Sequence, residues 1–217
     1  MAIKSTYFGL QKFQRSMEIQ EQARQLVENS GSPVVLGFEY YPVITIGKNA
    51  ELTAELLRSQ ADLSRQGFQF AETDRGGQAT LHSPGQLVIY PLVPLRKRGL
   101  SVKNFVRILE NSTIEWLKKY GISSEHREDA GVFTEKGKIA FIGIRVSNGI
   151  SKHGISININ NDLGLFQGIR PCGMSQRPLD SLYENQVSID LADAFQSWNL
   201  YFSHELMART DSLDFYC

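Results

Sequence analysis

Hydrophobic and polar positions along the chain alternate between helical and strand periods, and the places where the period changes divide it into elements. Residues 13–27 put Phe13, Met17, Ile19, Ala23, Leu26 and Val27 at mostly helical spacings, and Gly31-Ser32-Pro33 closes that helix. Two short apolar runs follow, VVLGFEY and VITIG, separated by Tyr41-Pro42; they predict a hairpin or a pair of strands. Residues 51–65 predict a helix stopped at Gly67, and a strand around Phe68–Ala71 leads into a turn at Gly76-Gly77. Leu87–Val93 is apolar on both faces, as a buried strand is.

The clearest helix starts at Ser101, a fitting N-cap, and runs to Tyr120 with one stripe of Val102, Phe105, Val106, Leu109, Trp116, Leu117 and Tyr120; Gly121 suits its C′ position. A β-rich run (KIAFIGIRV) covers residues 138–146. Residues 155–160 alternate Ile155, Ile157 and Ile159 with Ser156, Asn158 and Asn160, a strand with one core face and one polar face. A last helix carries Leu191, Phe195, Trp198, Phe202 and Leu206. Strands and helices interleave irregularly, without repeats or linkers. The expected architecture is mixed α/β (α+β), a single domain over residues 1–217 with helices packed on a mixed sheet.

Composition narrows the class. Of the 217 residues, 23 are Lys or Arg and 23 are Asp or Glu, so the formal net charge is zero, which argues against a nucleic-acid binder. The hydrophobic share of 41% excludes a disordered chain. The two cysteines, Cys172 and the terminal Cys217, form no disulfide framework and suit a reducing compartment. The N-terminus has no apolar signal core, and no stretch is long enough to span a membrane, so a cytoplasmic location is expected.

Phosphate-loop signatures are absent, and His204-Glu205 lacks the second histidine of a zinc helix, so no metal site is expected. Three segments do not read as ordinary packing. RGGQATLHSPGQ (75–86) sets Arg75 and His82 between paired glycines and Pro84-Gly85, where backbone can approach a ligand closely. Lys138 opens an apolar run; its ammonium either reaches solvent past a packed stem or faces a cleft, where its charge shifts a neighbour's pKa. Cys172 stands in a Pro-Cys-Gly turn rather than on an apolar helix face, as a buried inert thiol or as a nucleophile.

Taken together these segments resemble the lipoate–protein ligase B family. RGGQATLHSPGQLVIYPLVPL is similar to that family's R-G-G-x-x-T-x-H-x-P-G-Q-L block and Y-P strand. KIAFIGIRV with Ser151-Lys152-His153-Gly154 resembles its K-I-A…H-G block, and ISININNDLGLFQGIRPCG its last block, ending P-C-G. The blocks stand in the family's order over residues 35–190.

The resemblance implies the biotin/lipoate protein ligase catalytic fold and an octanoyl-[acyl-carrier-protein]–protein N-octanoyltransferase activity in lipoate biosynthesis. It implies Cys172 as acyl-thioester nucleophile and Lys138 as the residue that lowers its pKa. The acyl pocket would be lined by Arg75, Gly76, Gly77, Gln78, Ala79, Thr80, Leu81 and His82, by Phe141, Ile142 and Gly143, and by Gly154, Ile155 and Ser156. A free thiol with pKa about 8.5 is only about 3% thiolate at pH 7, and a drop of two units amounts to ~2.7 kcal/mol.

The implied partners are octanoyl-acyl carrier protein as donor, and the lipoyl domains of 2-oxoacid dehydrogenase complexes and glycine cleavage H protein as acceptors. Neither nucleic acid nor membrane takes part, neither ATP nor metal is used as cofactor, and a monomer is expected. Zero net charge leaves a local basic patch for docking an acidic carrier, with Lys152, Arg170, Arg177 and Lys136 as its candidates. Leu81, Phe141 and Ser156 depart from the family, which more often has an aromatic, a small residue and Ala there, so acyl-chain preference stays open. An ATP-dependent lipoate or biotin ligase of the same fold, and a non-catalytic carrier-binding module, are the alternatives; Cys172 in its P-C-G setting argues against both.

Overall fold

The computed structural model describes residues 3–48, 50, 55–169 and 178–211. Its elements in chain order are β1 (Lys4–Gln11), α1 (Phe13–Ser30), β2 (Val34–Tyr40), β3 (Val43–Ile46), α2 (Gln60–Arg65) and β4 (Gln69–Glu72). Then come β5 (Ala79–His82), β6 (Gln86–Leu92), α3 (Val102–Lys118), β7 (Gly131–Phe133), β8 (Lys138–Ser147), β9 (Ile150–Asn158) and α4 (Leu191–Asp211). A six-stranded sheet has the order β1-β2-β6-β9-β8-β7, and a three-stranded sheet the order β4-β3-β5. Both are mixed: β1–β2 and β3–β4 run parallel, and the remaining pairs antiparallel.

The two apolar runs either side of Tyr41-Pro42 are not partners. β2 pairs with β1 and β6, whereas β3 pairs with β4 and β5 in the other sheet. Pro42 has no N–H to continue a ladder, and the chain leaves one sheet for the other at this point. The carbonyl of Pro42 then accepts from Gln69 N–H at the start of β4 (3.0 Å).

One face of the large sheet packs on α3 and α4. Leu87, Ile89, Ile139, Ile155 and Ile157 meet Phe105, Ile108, Leu109, Trp116, Phe195, Trp198 and Phe202 in one cluster. Ser101 caps α3 as its sequence predicts, accepting from Asn104 N–H (3.1 Å), but Val102 lies outside the stripe and is 51% exposed. The opposite face carries Leu36, Phe38, Val88, Tyr90 and Leu92 against Phe13, Ala23 and Val27 of α1; Leu26 points outward, 57% exposed. In the described part of 51–65, Glu55 is helical, residues 56–59 are not, and Gln60–Arg65 is helical again, with Ser59 as its cap.

Ala79–His82, between the Gly76-Gly77 and Pro84-Gly85 turns, is strand β5, buried beside β3. This pairing sets the small sheet over the outer face of β6, β8 and β9, and the cavity described next lies between them. Among the described residues, no helix is long and apolar enough to cross a membrane.

Candidate active site

A cleft lies between the sheets, with about 520 Å³ of space counting the part open to solvent. Its wall is built from Thr45 of β3, Thr80 and His82 of β5, Val88 and Tyr90 of β6, Phe141–Gly143 of β8 and His153–Ser156 of β9, closed by Phe13 and the 73–77 loop. Arg75, Gly76, Gly77, Thr80, His82, Phe141, Ile142, Gly143, Gly154, Ile155 and Ser156 therefore come together as expected. Gln78, Ala79 and Leu81 do not line it. Alternation along β5 turns Leu81 the other way, into a core with Ile44, Leu63 and Phe166, and Ala79 is likewise fully buried off the cavity. Thr45, Thr73, Val88, Tyr90, His153 and Phe13 line it without having been singled out as pocket residues.

The 73–77 loop is held by its own arginine. Arg75 Nη2 donates to Thr45 O (2.7 Å) and Thr45 Oγ1 (2.9 Å), and Nη1 to Gly76 O (3.1 Å). Gly76 N–H donates to Ile144 O (3.0 Å), which ties the loop to β8. Across the cavity Gly154 sits where a Cβ would lie 2.2 Å from Ile89 O, so only glycine lets β9 lie this close to β6. His153, beside it, adopts φ +57 within a strand, and its N–H donates to Gln20 Oε1 of α1 (2.5 Å).

Two histidines reach the cavity, and both are held neutral. His153 Nε2 bonds Asp74 Oδ1 at 2.7 Å, and burial lowers its pKa against the pull of that carboxylate. Burial works to raise Asp74 as well, but its bond to His153 and the charge of Lys152 override this and leave it below the usual carboxylate range. His82 Nδ1 bonds Gln86 Oε1 (2.6 Å), while Gln86 Nε2 donates to Asn158 Oδ1 (2.9 Å); this direction assigns the ring proton to Nδ1.

Burial pushes His82 from 6.5 down to about 4. The folded protein thus refuses a proton that the unfolded chain takes up below pH 6.5. Stability is full above pH 6.5 and falls as pH drops through about 4, by about 3 kcal/mol in total. Urea unfolding at pH 7 and pH 4.5 should show this loss, and His82→Gln, which cannot titrate, should remove most of it.

Lys138 opens β8 beside the cavity, 4% exposed. Nζ donates to Ala130 O (2.9 Å) and lies 5.1 Å from the ring centroids of both Phe133 and Phe141. Of the two settings its sequence leaves open, the structure shows the buried ammonium. Phe141 stacks in turn on Phe166 (centroids 5.7 Å apart) and is part of the cavity wall, so the cation and the cavity share one ring.

Cys172, Arg170 and Arg177 lie outside the described residues, as does Cys217. Pro178, six residues after Cys172, and Asp180 are bonded to Lys138's own backbone: Lys138 N–H donates to Pro178 O (3.0 Å) and Asp180 N–H to Lys138 O (3.0 Å). The basic patch expected for docking does not assemble from its described members. Lys152 pairs with Asp74 (3.3 Å) towards the far end of β9, and Lys136 Nζ donates to Glu184 O (2.5 Å) near Lys138. Among the described residues no three His, Cys, Asp or Glu side chains cluster as metal ligands.

A family model, the lipoyl protein ligase A/B catalytic domain, matches residues 12–202. An octanoyltransferase of Legionella pneumophila (strain Corby) is 38% identical over 165 residues, covering 76% of this chain and 79% of that protein. One from Persephonella marina is 36% identical over 181 residues, covering 82% and 85%. Among solved structures, a bi-partite lipoate protein ligase studied with its E2 lipoyl domain from Thermoplasma acidophilum superposes with a TM-score of 0.73 at 13% identity, covering 95% of this chain and 84% of that one.

Proposed function

Because the chain belongs to the lipoyl protein ligase A/B catalytic domain family, with octanoyltransferases among its relatives, we propose that it is an octanoyltransferase of lipoate biosynthesis working through an acyl-thioester on Cys172. It moves an octanoyl group from acyl carrier protein to a lysine of lipoyl domains. The observation that carries this reading is the buried Lys138 ammonium, set against the wall of the cavity and bonded through its backbone to the strip that follows Cys172.

In this mechanism the Lys138 ammonium favours the ionised form of Cys172, whose proton has passed to solvent, and the thiolate attacks the carbonyl carbon of the octanoyl thioester. The tetrahedral adduct collapses, the carrier's thiolate leaves, and the Lys138 ammonium protonates it. The incoming lysine amine then attacks the acyl-enzyme, neutral Lys138 takes the proton the amine loses, and the Cys172 thiolate is released as the amide forms. Thioester to thioester to amide runs downhill, so the sequence of steps needs neither ATP nor a metal. The octanoyl chain lies in the cavity, along Phe141–Gly143 and Gly154–Ser156.

Intact-protein mass spectrometry tests this directly. Incubation with octanoyl-acyl carrier protein and no ATP should yield one octanoyl adduct, mapped to Cys172, that disappears on adding a lipoyl domain. A strict ATP requirement would overturn the reading in favour of a ligase of the same fold.

Phe141 makes chain length measurable. Its ring forms part of the cavity wall and stacks on Phe166. Phe141→Ala opens space there, so carriers loaded with decanoyl or dodecanoyl groups should gain on octanoyl, by roughly 10-fold or more in kcat/KM ratio, at a cost of about 3 kcal/mol in stability. A competition assay with mixed acyl carriers reads the ratio.

A further inference from the structure

Lys138 Nζ and the buried carboxylate of Glu110 never touch, yet they grip the same peptide group. The ammonium donates to Ala130 O (2.9 Å), and the N–H of that same amide, Gly131 N, donates to Glu110 Oε1 (3.1 Å). Glu110 belongs to α3, is 2% exposed and has its other oxygen, Oε2, on Arg107 Nη1 (2.8 Å). Gly131 is where this contact closes: at φ +142, a Cβ would lie 2.6 Å from Lys138 Cε and 2.4 Å from Ala140 O.

We propose that Glu110 is a positioning residue for the acyl transfer, holding the Lys138 ammonium in place by polarising the Ala130–Gly131 peptide. A carboxylate accepting from the N–H end draws electron density towards the carbonyl end, and the bond that this carbonyl then accepts from a cation is strengthened. The Phe133 and Phe141 rings flank the same ammonium, so the peptide relay and the two π faces act together to favour its charged form.

Three other charged groups at these elements have their own bonds. Arg107 takes Oε2 of Glu110; Arg127 lies 5.1 Å from the far ring, Phe133, and pairs with Glu125. Asp180, a buried carboxylate on the strip bonded to β8, takes bonds from Thr134 Oγ1, Ser181 N–H and Asn185 Nδ2. Among the described bonds between these elements, Glu110 is joined to Lys138 through the Ala130–Gly131 peptide they share.

The inference rests on the dyad reading above for its consequence but not for its test. NMR on the full-length protein with 13C-labelled lysine, the Lys138 signal assigned by its loss in Lys138→Met, follows the ammonium directly. Glu110→Gln keeps the shape and an oxygen for Gly131 N–H but loses the charge; the Lys138 midpoint should fall by about one pH unit, and single-turnover acylation at pH 7 by about tenfold. In the unaltered protein the Gly131 amide 15N shift should titrate together with Lys138, a measurement that needs no variant to fold. An unmoved Lys138 midpoint in folded Glu110→Gln, or a Gly131 amide indifferent to Lys138, would overturn the proposal. Absence of an adduct on Cys172 would instead overturn the dyad reading and leave these NMR results standing.

Discussion

Cys172→Ser should lose transfer activity by on the order of 10⁴-fold or more, and no octanoyl adduct should survive on the protein. The two side chains are nearly the same size, so the difference is chemical. A thiol with pKa about 8.5 is brought within reach of neutral pH by a nearby ammonium, whereas a hydroxyl stays protonated under the same influence. The ester that serine would form is also a poorer acyl donor to an amine than a thioester is, so the second half-reaction fails even if the first occurs slowly. Binding of octanoyl-acyl carrier protein should be unchanged. Discontinuous transfer assays and intact mass spectrometry check rate and adduct together, and full transfer by Cys172→Ser would sink the covalent mechanism.

Helices α3 and α4 are legible in the chain because each buries one stripe at a period that few other structures share: Phe105, Leu109 and Trp116 on one, Phe195, Trp198 and Phe202 on the other. Strands are legible as strands but not as partners. VITI carries nothing that says it will leave VVLGFEY for a second sheet, since an apolar run is satisfied by any buried neighbour. β1 escapes notice because KSTYFGLQ alternates between exposed and half-buried positions and lacks a full apolar face.

The cavity is half legible. The glycine-rich loop stands out by residue type and the two strand segments by the family resemblance; Ala79 and Leu81 lie off the wall because alternation along β5 turns them away, and Gln78, before β5, lies off it as well. Tyr90 and His153 stand inside the segments that resemble the family, and a histidine directly before a glycine that must lie against β6 was the available signal for His153. Phe13 offers no such signal, being brought to the cavity by the packing of α1. The setting of Lys138 was also out of reach, because Gly131 and Phe133 come against it, and Glu110 against Gly131, only through the docking of α3 and β7 on β8.

Lys138→Met gives the second large effect, and its pH dependence identifies the cause. Methionine keeps much of the apolar stem between Phe133 and Phe141 but removes the charge and the proton carrier. Losing a general acid–base should lower kcat/KM by about 10²–10⁴-fold at pH 7. Losing the ammonium also removes what favours the thiolate. The Cys172 pKa should therefore rise towards about 8.5, and the midpoint of its alkylation by iodoacetamide should move to higher pH.

The sign separates the two roles. Above pH 9 the thiolate forms without help, so acylation of the variant should recover most of its rate. Transfer to the lipoyl-domain lysine should not recover to the same degree, because the incoming amine still has no base to take its proton. The acyl-enzyme should then accumulate at high pH and be visible as a burst of carrier thiol followed by slow turnover. An alkylation midpoint equal to that of the unaltered protein would mean that Lys138 does not act on Cys172, whatever the loss in rate.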